Sequence, residues 1–118
     1  MRDETSEAEI TTLGDVALIA ISGELDLALC VKVAPDLHAV LLSPARAVVI
    51  DLEAVSMVDS SGIALLLNTF RRLDQGGRQL SIACPMGPQR RAFELTALDR
   101  QLPMYESRDR ALAAVGAG

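Results

Sequence analysis

Two adjacent hydroxyls, Ser60 and Ser61, stand between an aspartate and a glycine at the end of the run Val48-Val49-Ile50-Asp51-Leu52-Glu53-Ala54-Val55-Ser56-Met57-Val58-Asp59-Ser60-Ser61-Gly62. The run predicts a buried strand, a short loop and the start of a helix. Hydroxyls at a helix start suit phosphoryl acceptance, because the first-turn N–H groups lack intrahelical partners and the macrodipole is positive there. A phosphoserine at that place need not unfold the domain. Capping is the structural account of the same residues: Asp and Ser oxygens accept first-turn N–H groups, and either Asp59 or Ser60 suits the cap position. Nucleophilic catalysis is disfavoured, since no Gly-x-Ser-x-Gly motif is present and the single histidine, His38, falls on a different helix. The chain is therefore expected not to be an enzyme.

A second cluster, Gly23-Glu24-Leu25-Asp26, lies where a strand should end. Gly23 would relieve a bend and Asp26 would cap the next helix or turn, or the carboxylates would flank the switch loop. Paired carboxylates also perform acid and base work, but no metal ligands or second nucleophile accompany these. On the helix that starts at the two serines, Ser61, Leu65, Asn68 and Arg72 line up away from the core stripe, placing one apolar residue among polar ones, as a docking face would. Cys30 and Cys84 lack the spacing of a zinc site or a disulfide framework and read as buried free thiols.

The elements that must position these residues emerge from hydrophobic periodicity. Ile10 to Leu13 and Asp15 to Ser22 read as a hairpin with Gly14-Asp15 at its turn. Cys30, Val33, Leu37, Val40 and Leu41 have helical spacing, and Pro35 implies that this helix starts near residue 32 or bends at its beginning, with Ser43-Pro44 ending it. Ala47 to Leu52 is a strand apolar enough to be covered on both faces. Ile63, Leu66, Leu67, Phe70 and Leu73 form the core stripe of the second helix, which Gly76-Gly77 stops. Gln79 to Cys84 is a strand, Gln89 to Ala97 a helix, Leu102 to Tyr105 a short edge strand and Arg108 to Ala114 a last helix. This order describes a mixed α/β domain, a sheet of four to five strands with helices mainly on one face.

With 118 residues and 50% hydrophobic content, the chain has room for one domain, expected over residues 8–115, with 1–7 and 116–118 as flexible ends. Its net charge of -5 and 3% aromatic content argue against a nucleic-acid surface, which needs basic grooves and stacking rings. Arg71-Arg72 and Arg90-Arg91 are read as solvated helix faces. No apolar run approaches the roughly 18 residues of a membrane span, and the polar, acidic start is unlike a signal peptide, so a cytoplasmic location is expected. The partner expected on these grounds is a protein.

Gly23-Glu24-Leu25-Asp26, Val49-Ile50-Asp51-Leu52, Val58-Asp59-Ser60-Ser61-Gly62, Leu65-Leu66, Gly77, Leu80 and Leu95-Thr96-Ala97-Leu98-Asp99 together resemble the STAS domain of bacterial anti-sigma factor antagonists. The resemblance implies a domain whose unphosphorylated form binds an anti-sigma factor that is also a serine/threonine kinase, freeing a sigma factor. It implies that the kinase modifies Ser60 and that a metal-dependent serine phosphatase reverses the modification. Asp59, Ser61 and Gly62 would shape the site; Gly23, Glu24 and Asp26 would adjoin the partner and its nucleotide. Leu65, Asn68 and Arg72 extend that face. ATP and magnesium would belong to the kinase, so the chain itself needs no cofactor and works as a monomer or weak dimer. Ala97 stands where relatives often carry glycine, and Leu29-Cys30 where a threonine-containing turn is frequent. The other readings compatible with the motif are a non-catalytic STAS subunit of a stress-signalling or lipid-transport assembly, a nucleotide-binding sensor, and a hydrolase using Ser60.

Overall fold

A computed structural model describes residues 7–117. In chain order the elements are β1 (Ala8–Leu13), β2 (Val16–Leu25), α1 (Leu27–Leu42), β3 (Ala47–Val58), α2 (Ser60–Gln75), β4 (Gln79–Ala83), α3 (Pro88–Leu95), a 3-10 turn (Leu98–Arg100), β5 (Met104–Tyr105) and α4 (Arg108–Ala114). The sheet runs β1-β2-β3-β4-β5, with β1 antiparallel to β2 and the remaining pairs parallel. Because each parallel crossover steps to the next strand in the same direction, the right-handed rule puts α1, α2 and α3 on one face.

Strand alternation divides the core accordingly. Ala17, Ile19, Ile21, Val48, Ile50, Leu52, Leu80 and Ile82 pack with Leu29, Val33 and Leu37 of α1, Leu66 and Leu73 of α2, and Phe93 of α3. The alternate residues Val16, Leu18, Ala47, Val49 and Ala83 are covered by Ala111 and Leu112 of α4. Ala47 to Leu52 is thus buried on both faces, as its unbroken apolar character requires. Within the core stripe of α2, Leu66 and Leu73 are fully buried while Ile63, Leu67 and Phe70 are half-buried, and Thr69 takes a place in the buried row.

Two boundaries differ from the sequence expectation. α1, expected to start near residue 32 or to bend at its beginning, begins at Leu27 and runs through Pro35. Pro35 has no N–H to give the Val31 carbonyl, but both residues lie on the exposed side of the helix, so the missing bond does not fall in the core. Asp26 caps the earlier start by accepting from the Leu29 N–H at 2.9 Å. At the other end Arg78 donates to the carbonyls of Leu41 at 2.7 Å and Val40 at 3.3 Å, satisfying acceptors in the last turn of the helix, and to the Ala45 carbonyl in the following loop at 2.8 Å. The loop expected after Leu52 is strand instead: β3 continues to Val58 beside the end of β2, with register shifts at Ala20/Ser22 and Gly23/Glu24. Cys30 and Cys84 are free and buried.

The expected flexible ends fall largely on residues 1–6 and 118, outside the described residues. Glu7 accepts a backbone hydrogen bond from Ser22 at 2.9 Å, and Ala117 donates one to Leu112 at 2.9 Å. Ala97 adopts φ 59, the one non-glycine residue with positive φ among the described residues. An L-residue there is strained by about 1–2 kcal/mol, of which glycine's greater unfolded-state freedom returns a part. Ala97→Gly should therefore stabilise the domain by roughly 0.5–1 kcal/mol in urea unfolding. A destabilised variant would show that the strain is relieved in another way.

Candidate functional site

The register of two parallel strands builds the site. Leu25 pairs with Val58 at the ends of β2 and β3, so the next residue of each, Asp26 and Asp59, occupies an equivalent place at the start of α1 and α2. Both are N-caps. Asp59 accepts from the N–H groups of Ser61 at 2.9 Å and Gly62 at 3.2 Å, which resolves the choice between Asp59 and Ser60 in favour of the aspartate. The Asp59 N–H donates to the Leu25 carbonyl at 3.2 Å, tying the two helix starts together. Burial first, then the negative charges of Asp59 and Asp26, pushes the Cys30 thiol above its ordinary value. Burial likewise pushes Cys84 up to about 11, so at neutral pH it stays a protonated core residue.

Ser60 is the first residue of α2 and is exposed, whereas Ser61 is half-buried. A phosphate on Ser60 would not find an empty helix start, because Asp59 already holds two of its N–H groups. It would instead stand beside the Asp59 carboxylate, with the Asp26 cap following the paired strand end. The full helix-end accommodation expected from the sequence is reduced, and added charge is felt mainly as repulsion. Among the described residues no hydrogen bond joins Ser60 to His38, which lines the groove between α1 and α2.

Two glycines have different reasons. Gly23 has φ +112, a conformation that L side chains rarely adopt, and it turns β2 outward before the Asp26 cap. Gly62 is needed for close approach, since a Cβ there would lie 2.8 Å from the Leu25 carbonyl oxygen and 2.8 Å from Val58 Cγ1. Gly62→Ala must push α2 off the strand ends and should cost about 2 kcal/mol, read from the urea midpoint. A midpoint within about 0.5 kcal/mol of wild type would mean that the strand ends yield freely.

The remaining expected residues divide between two surfaces. Gly23, Glu24 and Asp26 line a hollow with Ser22 and Lys32. Leu65, Asn68 and Arg72 line the groove facing α1. Leu65 is half-buried against the core, so it is less a free docking residue than its helical phase implies. The α1 wall of that groove, including Val31, Pro35 and His38, is missing from the sequence reading. The exposed pair Val31 and Leu27, four residues apart, was the available signal, with Leu27 65% and Val31 65% exposed.

A family model described as the STAS domain matches residues 7–111. An anti-sigma-B factor antagonist of Staphylococcus aureus (strain NCTC 8325 / PS 47) is 33% identical over 94 residues, covering 76% of this chain and 83% of the relative. The chain belongs to the STAS domain family of anti-sigma factor antagonists. Among solved STAS-fold structures, an anti-sigma factor antagonist from Mycobacterium paratuberculosis superimposes with a TM-score of 0.85 at 30% identity, covering 92% of each chain. The phosphorylated form of the Bacillus cell fate determinant SpoIIAA shares the fold with a TM-score of 0.69 at 21% identity, over 92% of this chain and 98% of that one. In this STAS domain Asp-Ser-Ser-Gly stands at the head of α2, beside the capped start of α1. No described helix of this STAS domain is long and apolar enough to cross a membrane.

Proposed function

We propose that the chain is the antagonist arm of a partner switch. Its unphosphorylated form binds an anti-sigma factor serine/threonine kinase and so releases a sigma factor; phosphorylation of Ser60 ends the complex, and a serine phosphatase restores it. The observation that supports this reading most is the exposure of Ser60 at the first position of α2, directly after Asp59, whose carboxylate is held by the Ser61 and Gly62 N–H groups. The hydroxyl is free to meet an enzyme while Asp59 and Gly62 hold the helix start in place. The family relationship supports the anti-sigma partner, and SpoIIAA, a member of the same fold, occurs in a phosphorylated form. The domain acts by binding, with no catalysis and no cofactor of its own, and works in the cytoplasm as a monomer or weak dimer.

Incubation with candidate anti-sigma kinases of the source organism and ATP, followed by mass spectrometric mapping, tests the assignment. One phosphate at Ser60, absent from Ser60→Ala while that variant still binds the kinase, is the expected result. Modification of Ser61 or Ser56 instead would move the switch. A kinase complex that forms stably with ATP and never modifies the chain would favour a structural STAS subunit.

A further inference from the structure

α1 and α2 run in the same direction on one face of the sheet and leave between them a groove of about 560 Å³. Its base is apolar: Leu37 is buried, Leu41 and Leu65 are half-buried, and Val31 stands at the rim 65% exposed. The polar side chains that line it are His38, Asn68, Thr69 and Arg72, without a carboxylate. That is a marked local departure in a chain with 16 acidic residues and a net charge of -5. Two parallel helical ridges accept a third helix by ridge-into-groove packing, and a groove whose ionisable lining is only cationic or neutral favours acidic residues on the incoming one.

We propose that this groove docks an acidic amphipathic helix of a protein partner, its apolar face on Val31, Leu41 and Leu65 and a carboxylate against Arg72, independently of the state of Ser60. The independence is a matter of distance. Arg72 lies twelve residues beyond Ser60 on the same helix, about 18 Å along its axis and outside the roughly 8 Å screening length at physiological salt. A second copy of the chain does not supply the complement. α1, α2, α3 and α4 carry one carboxylate each, Asp36, Asp74, Glu94 and Asp109, each accompanied by Lys or Arg on the same helix. Docking in this groove is separate from the phosphorylation switch and needs neither kinase nor nucleotide for its test.

The probe is a pair of synthetic sixteen-residue helical peptides with identical leucine spacing, one carrying glutamate and the other lysine on the polar face. Each is titrated into the ¹⁵N-labelled full chain and followed by amide shifts. The glutamate peptide should shift amides of residues 31–41 and 65–72. Arg72→Glu should weaken it about tenfold while improving the lysine peptide. Ser60→Asp should leave its affinity within about twofold, as screening at that distance requires. Absence of shifts, shifts outside these segments, equal binding of both peptides, or loss of binding in Ser60→Asp would each overturn the proposal. Concentration-dependent shifts of the same amides without peptide would assign the groove to a second copy instead.

Discussion

Ser60→Asp is expected to weaken binding of the cognate anti-sigma kinase by about three orders of magnitude, while circular dichroism and melting stay close to wild type. One like-charge contact at about 4 Å with an effective dielectric near 20 costs roughly 4 kcal/mol, which is that loss of affinity. The domain itself has little reason to respond. Ser60 is exposed, the cap of α2 belongs to Asp59, and the packing under the helix start belongs to Gly62, Leu25 and Val58. The carboxylates of Asp26 and Asp59 already cap the two helices at this edge, and a further negative charge at Ser60 adds a like-charge contact with whatever acidic group of the partner faces it. Tight binding by the variant would contradict repulsion as the cause; a lowered melting temperature would mean that the switch works by disturbing the fold.

The second large effect concerns stability. Asp51 is 3% exposed in the middle of the sheet, on the face that α4 covers, and its Oδ2 accepts from Arg108 Nε at 2.6 Å. Its Oδ1 accepts from the Glu53 N–H at 2.8 Å, and Glu53 in turn accepts from the Arg108 N–H at 3.0 Å. The same bond to Asp51 raises the Arg108 pKa above its ordinary value. Arg108→Ala leaves a buried carboxylate without its cation and loosens the start of α4. Removing one partner of a fully buried pair costs about 3–5 kcal/mol, and the 45% exposure of the Arg108 side chain lets water recover some of this. The expected cost is about 2–3 kcal/mol, or roughly 10 °C in melting temperature. Replacing Asp51 by alanine in the same chain should recover part of it, since no unpaired charge then remains. A loss below about 0.5 kcal/mol in the single variant would place this pair with ordinary surface ion pairs.

The family motif and most of the element order were legible because they rest on local signals. Leu66 and Leu73 mark the buried side of α2 by period alone, and Arg108–Ala114 matches α4 residue for residue. The features that escaped depend on contacts distant in sequence. The tail of β3 is strand because it pairs with the bulged end of β2; its exposed Glu53, Ser56 and Met57 break the apolar run that would have announced it. α1 survives Pro35 because the missing bond falls on the exposed side and because Asp26 and Arg78 secure both ends. Asp26 and Asp59 stand in separate motifs of the sequence, and only the Leu25 and Val58 pairing makes them neighbouring caps of one site. Gly62 read as part of a motif; its reason, the Leu25 carbonyl beneath it, is likewise a cross-strand fact.

If charge gained by an exposed hydroxyl ejects a bound protein without refolding the domain, the loss of affinity must be electrostatic. Isothermal titration of one anti-sigma kinase with unmodified chain and with chain phosphorylated at Ser60, at two salt concentrations, is the decisive comparison. Binding should weaken about a thousandfold on phosphorylation, with the difference shrinking as salt rises. Equal affinity of the two forms, or a large loss indifferent to salt, would refute the electrostatic switch.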